Sequence, residues 1–231
     1  MLGAEGRVVM VSGAARGIGR AVVARLLEAG FSVSAGVRDR HDLGVSDRLM
    51  THRYDAEAPA TAEAWAAATA ARFGRIDAVV AAAGIIPMAR ILDADDTALD
   101  AMWAVNVKGP KHLVRAAWPH LEASGAGRVV IVASLSGKRV ANENWGYAAS
   151  KFAAVSLAHA IRREGWEKGI RATAFCPGFV ATDMTAWVKT YPREQMTQPE
   201  DAAALIETLL RLPAHAVMAE MLVNCRLEAS L

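Results

Sequence analysis

Arg7-Val-Val-Met-Val-Ser12, a short apolar run, leads directly into the glycine-rich segment Ser12-Gly-Ala-Ala-Arg-Gly-Ile-Gly19. The apolar run predicts a strand, and the Ala-, Val- and Leu-rich residues after the glycines, up to Gly30, predict a helix. A glycine turn alone is weak evidence, because such turns also merely change the direction of a chain. Between a strand and a helix, however, it lets backbone amides and the positive helix end approach a pyrophosphate. The segment therefore predicts a nucleotide-binding turn.

The same alternation continues along the chain. Further strands are predicted at residues 31–36, 50–54, 76–82, 128–133, 170–175 and 220–225, and further helices at residues 61–73, 95–121, 147–168 and 199–210. Strands that alternate with helices at this spacing predict an α/β fold with a doubly wound parallel sheet, Rossmann-like, covered by helices on both faces. We expect a single dinucleotide-binding and catalytic domain over residues 1–231, with ligands beyond the carboxyl ends of the strands.

Composition limits the function classes. The 231 residues are 53% hydrophobic and 22% charged, which suffices for a large core. Net charge is +2 with Lys and Arg dispersed, so we expect no nucleic-acid surface. No secretory signal pattern precedes the first strand, and the longest apolar run, residues 78–89, is interrupted by Gly84 and Pro87. We therefore expect a cytoplasmic protein that does not interact with membranes.

Metal-binding patterns are not found in the sequence. Cys176 and Cys225 lack the CxxC spacing, and the six histidines are scattered without an HExxH cluster. We expect two free, packed thiols and no metal site.

Chemistry is indicated by Trp145-Gly-Tyr-Ala-Ala-Ser-Lys151, in which Tyr147 and Lys151 are four residues apart, with Ser134 thirteen residues upstream of the tyrosine. On a helix this spacing places the phenol and the ammonium on one face. A positive charge about 4 Å away contributes on the order of 4 kcal/mol at an effective dielectric near 20, enough to lower a tyrosine pKa by 2–3 units. Taken alone, such a pair is also common in ordinary helices. The presence of Ser134 and of the glycine-rich turn in the same chain favours an acid–base role for Tyr147.

The choice of nucleotide depends on the end of the second strand, Ala35-Gly-Val-Arg-Asp39. A fold that binds NAD usually has an acidic residue there, whereas a 2′-phosphate calls for arginine. Val37 occupies the expected acidic position, and Arg38 and Arg16 supply two guanidiniums suited to a phosphate. NADP(H) is thus favoured over NAD(H). In the alternative interpretation, residues 38–42 form a solvated charged loop and Asp39 binds the ribose.

Together these motifs resemble the short-chain dehydrogenase/reductase family over about residues 7–185. The resemblance also includes Asn106 in the long helix and Pro177-Gly178 followed by Thr182. It implies that Asp55 meets the adenine, that Ala83 and Gly84 lie along the cofactor ribose, and that Val180 and Thr182 contact the carboxamide. From the residues and the resemblance, the cofactor-binding set comprises Ser12, Gly13, Arg16, Gly17, Ile18, Gly19, Arg38, Asp55, Ala83, Gly84, Pro177, Gly178, Val180 and Thr182.

The catalytic residues expected are Asn106, Ser134, Tyr147 and Lys151. In this hypothesis a carbonyl oxygen lies between the hydroxyls of Ser134 and Tyr147, and Tyr147 supplies the proton. Lys151 lowers the tyrosine pKa and, by the resemblance, holds the nicotinamide ribose. The resemblance also implies that Asn106 holds a water that links Lys151 to solvent. The alternative is that Asn106 satisfies backbone groups at a bend in the long helix.

One departure from the family pattern is Ala81-Ala-Ala-Gly84, where the family usually has Asn-Asn-Ala-Gly, so side-chain hydrogen bonds that brace the sheet are missing. The end of the chain, with Arg226 after the last strand, also lacks the Asp-Gly-Gly that is frequent in the family. These departures concern the rigidity of the sheet near residue 84 more than they concern catalysis.

The substrate is predicted from the residues expected around the cleft. The expected walls are Met88, Leu135, Trp145, Phe179 and the stretch 183–198, with Trp187, Val188 and Tyr191 as a lid. These apolar residues favour a small, uncharged ketone or aldehyde, whereas Lys138 and Arg139 leave a carboxylate-bearing or acyl-carrier substrate open.

Two alternative functions remain at this point, and the sequence also offers candidates for a subunit interface. A 3-oxoacyl-type ketoreductase is one, and a non-catalytic NADP-sensing binding protein is another. The helices predicted at residues 95–121 and 147–168 are candidates for a subunit interface, as in family members that form a homodimer or homotetramer.

Overall fold

A computed structural model describes residues 1–39, 43–44 and 46–228. Its seven strands are β1 (Val8–Ser12), β2 (Ser32–Val37), β3 (Leu49–Arg53), β4 (Ala78–Ala81), β5 (Arg128–Val132), β6 (Arg171–Pro177) and β7 (Glu220–Val223). They form one parallel sheet in the order β3-β2-β1-β4-β5-β6-β7. The order reverses between β1 and β4, and in open α/β sheets ligands bind at such a reversal.

In the part of the chain that the structure describes, the α-helices are α1 (Gly17–Glu28), α2 (Pro59–Phe73), α3 (Thr97–Trp103), α4 (Gly109–Ala123), α5 (Trp145–Gly165) and α6 (Pro199–Arg211). One face of the sheet packs against α2, α4 and α5, and the other against α1 and α6. Every residue of β1 and β4 is buried, as expected for strands that are covered on both sides. The predicted doubly wound fold is confirmed.

The helix predicted at residues 95–121 is not continuous. A π-helical turn, Ala104–Lys108, separates α3 from α4, and there the N–H of Gly109 donates to the carbonyl of Ala104. Pro110 explains the interruption, because it has no N–H to donate to the Asn106 carbonyl and its ring would clash with that carbonyl. The extra residue in this turn places Asn106 in the interior.

Other boundaries differ from the predictions by a few residues: α5 begins at Trp145, and β7 ends at Val223. Within residues 1–39, 43–44 and 46–228, no helix is long and apolar enough to cross a membrane.

Candidate active site

The glycine turn joins β1 to α1 at the carboxyl edge of the sheet. Gly13 and Gly17 have positive φ values of 66° and 54°, which side chains other than glycine rarely adopt. The first turn of α1 contains no acidic residue, and its N-cap, Arg16, makes no side-chain capping bond. No acidic side chain of that turn therefore competes for its backbone N–H groups, so the turn fits a pyrophosphate.

Ser12 provides the brace that Ala81 and Ala82, which stand where the family usually has two asparagines, cannot supply with their side chains. Its hydroxyl oxygen accepts hydrogen bonds from the N–H of Ala82 at 3.1 Å and of Ala83 at 3.2 Å. The end of β4 is thus tied to the end of β1, which supports the loop that carries Ala83 and Gly84. The concern about local rigidity is answered by a residue on the neighbouring strand.

Ser134 and Tyr147 meet across the loop that leads from β5 to α5, residues 133–144, called here the β5–α5 loop. The Ser134 hydroxyl caps the short 3₁₀ turn Leu135–Gly137 by accepting from the N–H of Ser136 at 3.0 Å. Burial raises the pKa of Tyr147 to about 12, and a hydrogen bond with Ser134 opposes this rise. This direction is opposite to the lowering predicted from sequence.

Lys151 is placed where it has little effect on the phenol oxygen. It is 5% exposed, and its Nζ donates to the carbonyl of Val132 at 3.0 Å. The ammonium lies 5.7 Å from the centroid of the Tyr147 ring, and the phenol pKa follows burial and the bond with Ser134. Burial lowers the pKa of Lys151 to about 8, opposed by the nearby Cys176. Below that pH the side chain still carries its charge.

Asn106 uses its side chain to join three parts of the site. Its Oδ1 accepts from the N–H of Ile85 at 2.9 Å, and its Nδ2 donates to the Ile85 carbonyl and to Ser150 Oγ, each at 3.0 Å. The side chain thus satisfies backbone groups, as in the structural alternative, but those of the loop after β4 and not of its own helix. It links the π-helical turn to that loop and to α5.

Asn144 was missed in the sequence, although an Asn three residues before Tyr147 is a helix-start signal. It caps α5 by accepting from the N–H of Tyr147 at 3.3 Å, and it also accepts from the N–H of Ala89 at 3.1 Å. Its Nδ2 donates to the Pro87 carbonyl at 3.0 Å. The residue therefore fixes the start of the helix that carries Tyr147 and Lys151.

The loop from β6 to α6, residues 178–198, is called here the β6–α6 loop and lies beside the glycine turn. A Cβ atom at Gly17 would lie 3.1 Å from the Thr182 methyl group, so this loop touches the glycine turn. Arg16 and Asp183 form an exposed ion pair at 3.6 Å across the same gap. Val180 is buried and bridges to Thr197, which anchors the loop.

The remaining predicted cofactor residues lie at or near the carboxyl ends of the strands. Ile18 follows Gly17 in α1, and Pro177 ends β6 before Gly178. Asp55 follows β3, with its Oδ1 accepting from the N–H of Glu57 at 3.1 Å.

At the end of β2, Val37 is buried and Arg38 and Asp39 are exposed, with their charged groups 3.8 Å apart. Residues 40–42 of the alternative loop lie outside the described residues.

The residues predicted to form the substrate wall differ in exposure. Leu135 and Val188 are buried, whereas Met88 and Trp187 are 52% and 58% exposed. Tyr191 is held in place, because its hydroxyl donates to the Cys225 carbonyl at 2.6 Å.

Lys138 and Arg139, the two cations of the β5–α5 loop, have carboxylate partners. Lys138 lies 2.8 Å from Glu220, and Arg139 lies 2.6 Å from Glu228. Neither cation is left unpaired for a substrate carboxylate.

Comparison with known proteins identifies a matching family and related sequences. A family model described as short chain dehydrogenase matches residues 7–192. An agropine synthesis reductase from Rhizobium rhizogenes is 36% identical over 228 residues, which cover 96% of this chain and 53% of that protein. The chain thus spans about half the length of this relative.

Solved structures share the fold along nearly the whole chain. An alcohol dehydrogenase from the archaeon Thermococcus sibiricus, complexed with 5-hydroxy-NADP, has a TM-score of 0.83 and 25% identity, covering 94% of this chain and 95% of that one. A 3-ketoacyl-(acyl-carrier-protein) reductase from Brucella melitensis, complexed with NADH, has a TM-score of 0.86 and 24% identity, covering 95% and 97%.

Proposed function

This chain belongs to the short-chain dehydrogenase family, and we propose that it is an NADP(H)-dependent oxidoreductase acting on a small-molecule ketone, aldehyde or alcohol. The observation that carries the proposal is the convergence of Ser134, Tyr147 and Lys151 at the carboxyl edge of the sheet, beside a glycine turn that fits a pyrophosphate. When bound, NADPH would supply the hydride that reduces a carbonyl carbon. Proton donation, stabilisation of the developing charge and positioning are the roles of the protein's own side chains.

Tyr147 would donate the proton that the reduced carbonyl oxygen takes up. Since burial raises its pKa to about 12, the phenol is protonated at neutral pH, which is the form a proton donor requires. An alkoxide is a stronger base than a phenolate, so proton transfer from Tyr147 to a newly formed alkoxide is downhill. Ser134, whose hydroxyl is bonded to the phenol, would stabilise the charge that develops on the substrate oxygen.

Lys151 and Asn106 complete the proposed site. The Lys151 ammonium would hold the nicotinamide ribose, and its bond to the Val132 carbonyl keeps it beside the phenol ring. Asn106 positions the loop after β4 through its two bonds to Ile85. A water-linked path from Lys151 to solvent beside Asn106 remains part of the proposal.

A pH profile tests the protonation state of Tyr147. Alcohol oxidation requires the phenolate as base, and that form becomes more abundant as pH rises towards a folded-state pKa above neutrality. We expect kcat/KM for oxidation to rise by on the order of tenfold per pH unit between about pH 6 and 8, while that for carbonyl reduction stays level. The pH range over which this rise is expected ends near pH 8, because Lys151, with a pKa of about 8, loses its charge above that pH. A level oxidation profile would contradict this assignment.

The preference for NADP(H) is proposed from two exposed arginines. Arg38 follows β2, and Arg16 lies in the glycine turn. A hydrogen bond to a charged group contributes about 1.5–3 kcal/mol, so Arg38→Ala is expected to weaken NADPH binding by about 10–100-fold and NADH binding by less than about threefold. Fluorescence titration measures both dissociation constants.

Two variants make this cofactor test specific. Arg163→Ala removes an exposed arginine of α5 and serves as the matched control. Asp39→Ala tests the competing interpretation: if it weakens NADH binding while Arg38→Ala spares NADPH binding, Asp39 is the ribose residue and the cofactor is NAD(H).

The proposed substrate is uncharged, because both cations near Ser134 are paired, Lys138 with Glu220 and Arg139 with Glu228. The same pairs weigh against a 3-oxoacyl-type ketoreductase that docks an acidic carrier. The intact set of catalytic residues weighs against a non-catalytic NADP-sensing protein.

Absorbance assays with NADPH or NADH and a panel of ketones, aldehydes, keto-esters and quinones test the function directly. Binding without any turnover would favour the sensor.

Assembly as a homodimer or homotetramer is likewise proposed. Trp103 of α3 and Phe152 of α5 are 40% and 44% exposed, and large apolar side chains on the surface of the predicted interface helices suit contact with a second copy. A cytoplasmic location is proposed with it.

A further inference from the structure

The segment that follows β7, residues 224–228, is fixed by a charged pair to the loop that carries Ser134. The Nε and Nη2 atoms of Arg139 both donate to one oxygen of Glu228, Oε2, at 3.0 and 2.6 Å. The side chains of Arg139 and Glu228 are only 17% and 13% exposed. A nearly buried pair with two hydrogen bonds holds its geometry better than an exposed one, because it is screened less.

The other oxygen of Glu228 faces a second guanidinium. Arg226 Nε lies 3.5 Å from Glu228 Oε1. The Arg226 guanidinium carbon lies 5.1 Å from the centroid of the Phe179 ring and 5.9 Å from that of Tyr191, within the range of cation–π attraction. Since Phe179 and Tyr191 both belong to the β6–α6 loop, Arg226 connects Glu228 to that loop.

Two hydrogen bonds to main-chain carbonyls strengthen the connection. The Tyr191 hydroxyl donates to the Cys225 carbonyl at 2.6 Å, and the N–H of Gly178 donates to the Val223 carbonyl at 2.8 Å. The β6–α6 loop is therefore held at its start and near residue 191 by the end of β7 and the segment after it.

Glu228 is the one carboxylate that the described residues place between Arg139 and Arg226. Burial opposes its ionisation, but the hydrogen bonds and charges of Arg139 and then Arg226 outweigh burial, so the pKa of Glu228 lies below its usual value. Without this carboxylate the two guanidiniums would lose their shared counter-charge, and the mostly buried Arg139 would be left uncompensated.

We infer that Glu228 is a positioning residue, which holds the β6–α6 loop at a set distance from the β5–α5 loop and so fixes the width of the substrate cleft. The inference rests on the proposed function, because it assigns the two loops to the two sides of the cleft. Ser134 lies on one loop and Thr182 on the other. Glu228 touches neither substrate nor cofactor; it acts through Arg139 on one side and Arg226 on the other.

The test compares Glu228→Gln with Glu63→Gln in the full chain. The control breaks an exposed pair of the same type, Arg115 with Glu63, on the helices α2 and α4. For Glu228→Gln we expect the substrate KM to rise about tenfold while kcat stays within about threefold. Glu228→Asp, which keeps the charge, is expected to fall between the variant and the wild type.

A second measurement needs no turnover. Lys189 and Arg193 are exposed trypsin sites within the β6–α6 loop. In Glu228→Gln, loss of the charged pair with Arg139 is expected to speed cleavage after these residues by at least about fivefold, because local opening controls proteolysis. Mass spectrometry maps the cleavage sites. The melting temperature of each variant checks that it is folded.

The outcomes separate the two proposals. Unchanged cleavage in Glu228→Gln, or a fall in kcat with KM unchanged, overturns the positioning role. If the wild-type protein oxidises neither NADPH nor NADH with any compound, the proposed function is wrong, and the rate of cleavage still decides whether Glu228 holds the loop. If Glu228→Gln does not fold, Arg139→Lys takes its place, since it keeps the charge and loses the double hydrogen bond.

Discussion

Tyr147→Phe is expected to reduce turnover by about 10²–10⁴-fold, the usual contribution of a positioned proton donor. The change removes one oxygen atom and keeps the ring, so the packing of α5 is preserved. Each factor of ten corresponds to about 1.4 kcal/mol in the barrier, which places the loss at roughly 3–5 kcal/mol. Absorbance of NADPH at saturating substrate measures it.

Cofactor binding distinguishes loss of chemistry from loss of structure in this variant. The NADPH dissociation constant is expected to stay within about threefold, because the phenol oxygen is bonded to Ser134 and not to the glycine turn. Tyr54→Phe is the matched control: its buried hydroxyl donates to the Gly109 carbonyl at 3.1 Å, so its loss lowers stability by about 1 kcal/mol and leaves kcat unchanged. Unchanged turnover in Tyr147→Phe would remove the acid–base assignment.

The fold was predictable because its signals are local. An apolar run, a glycine turn and a helical stretch at residues 7–30 establish the first β–α unit, and repetition of that pattern establishes the parallel sheet. The π-helical turn was not predicted, although Pro110 was a visible signal that an N–H is missing there. Its role in turning Asn106 inward depends on the loop after β4, which is distant in sequence.

The candidate site was predictable in its residues and less so in its electrostatics. The spacing of Tyr147 and Lys151 placed both side chains near one another, but the sequence does not reveal how deeply a phenol is buried or that Lys151 is bonded to the Val132 carbonyl. Burial then raises the pKa of Tyr147, and the bond with Ser134 offsets it only in part. The Arg139–Glu228 pair joins residues 89 positions apart, and no local pattern signals such a contact.

Gly19→Ala is the second change with a large expected effect. Alanine is about 1 kcal/mol more favourable than glycine inside a helix, so propensity alone predicts stabilisation of α1. Sterics oppose it, because a Cβ atom at Gly19 would overlap the Gly13 carbonyl oxygen, which is main chain and cannot rotate away. Moving the turn is expected to cost about 3 kcal/mol or more, which lowers the melting temperature by roughly 6–12 °C in a chain of this size.

Nucleotide binding should fall with stability in Gly19→Ala, since the displaced atoms belong to the turn that would receive the pyrophosphate. Titration with NADPH below the melting transition is expected to give affinity at least about 100-fold weaker than that of the wild type. Gly3→Ala is the control, because a Cβ atom there meets no other atom within 4 Å. A folded Gly19→Ala protein with normal NADPH affinity would show that the nucleotide binds away from the β1–α1 turn, and the proposed function would then lose its cofactor site.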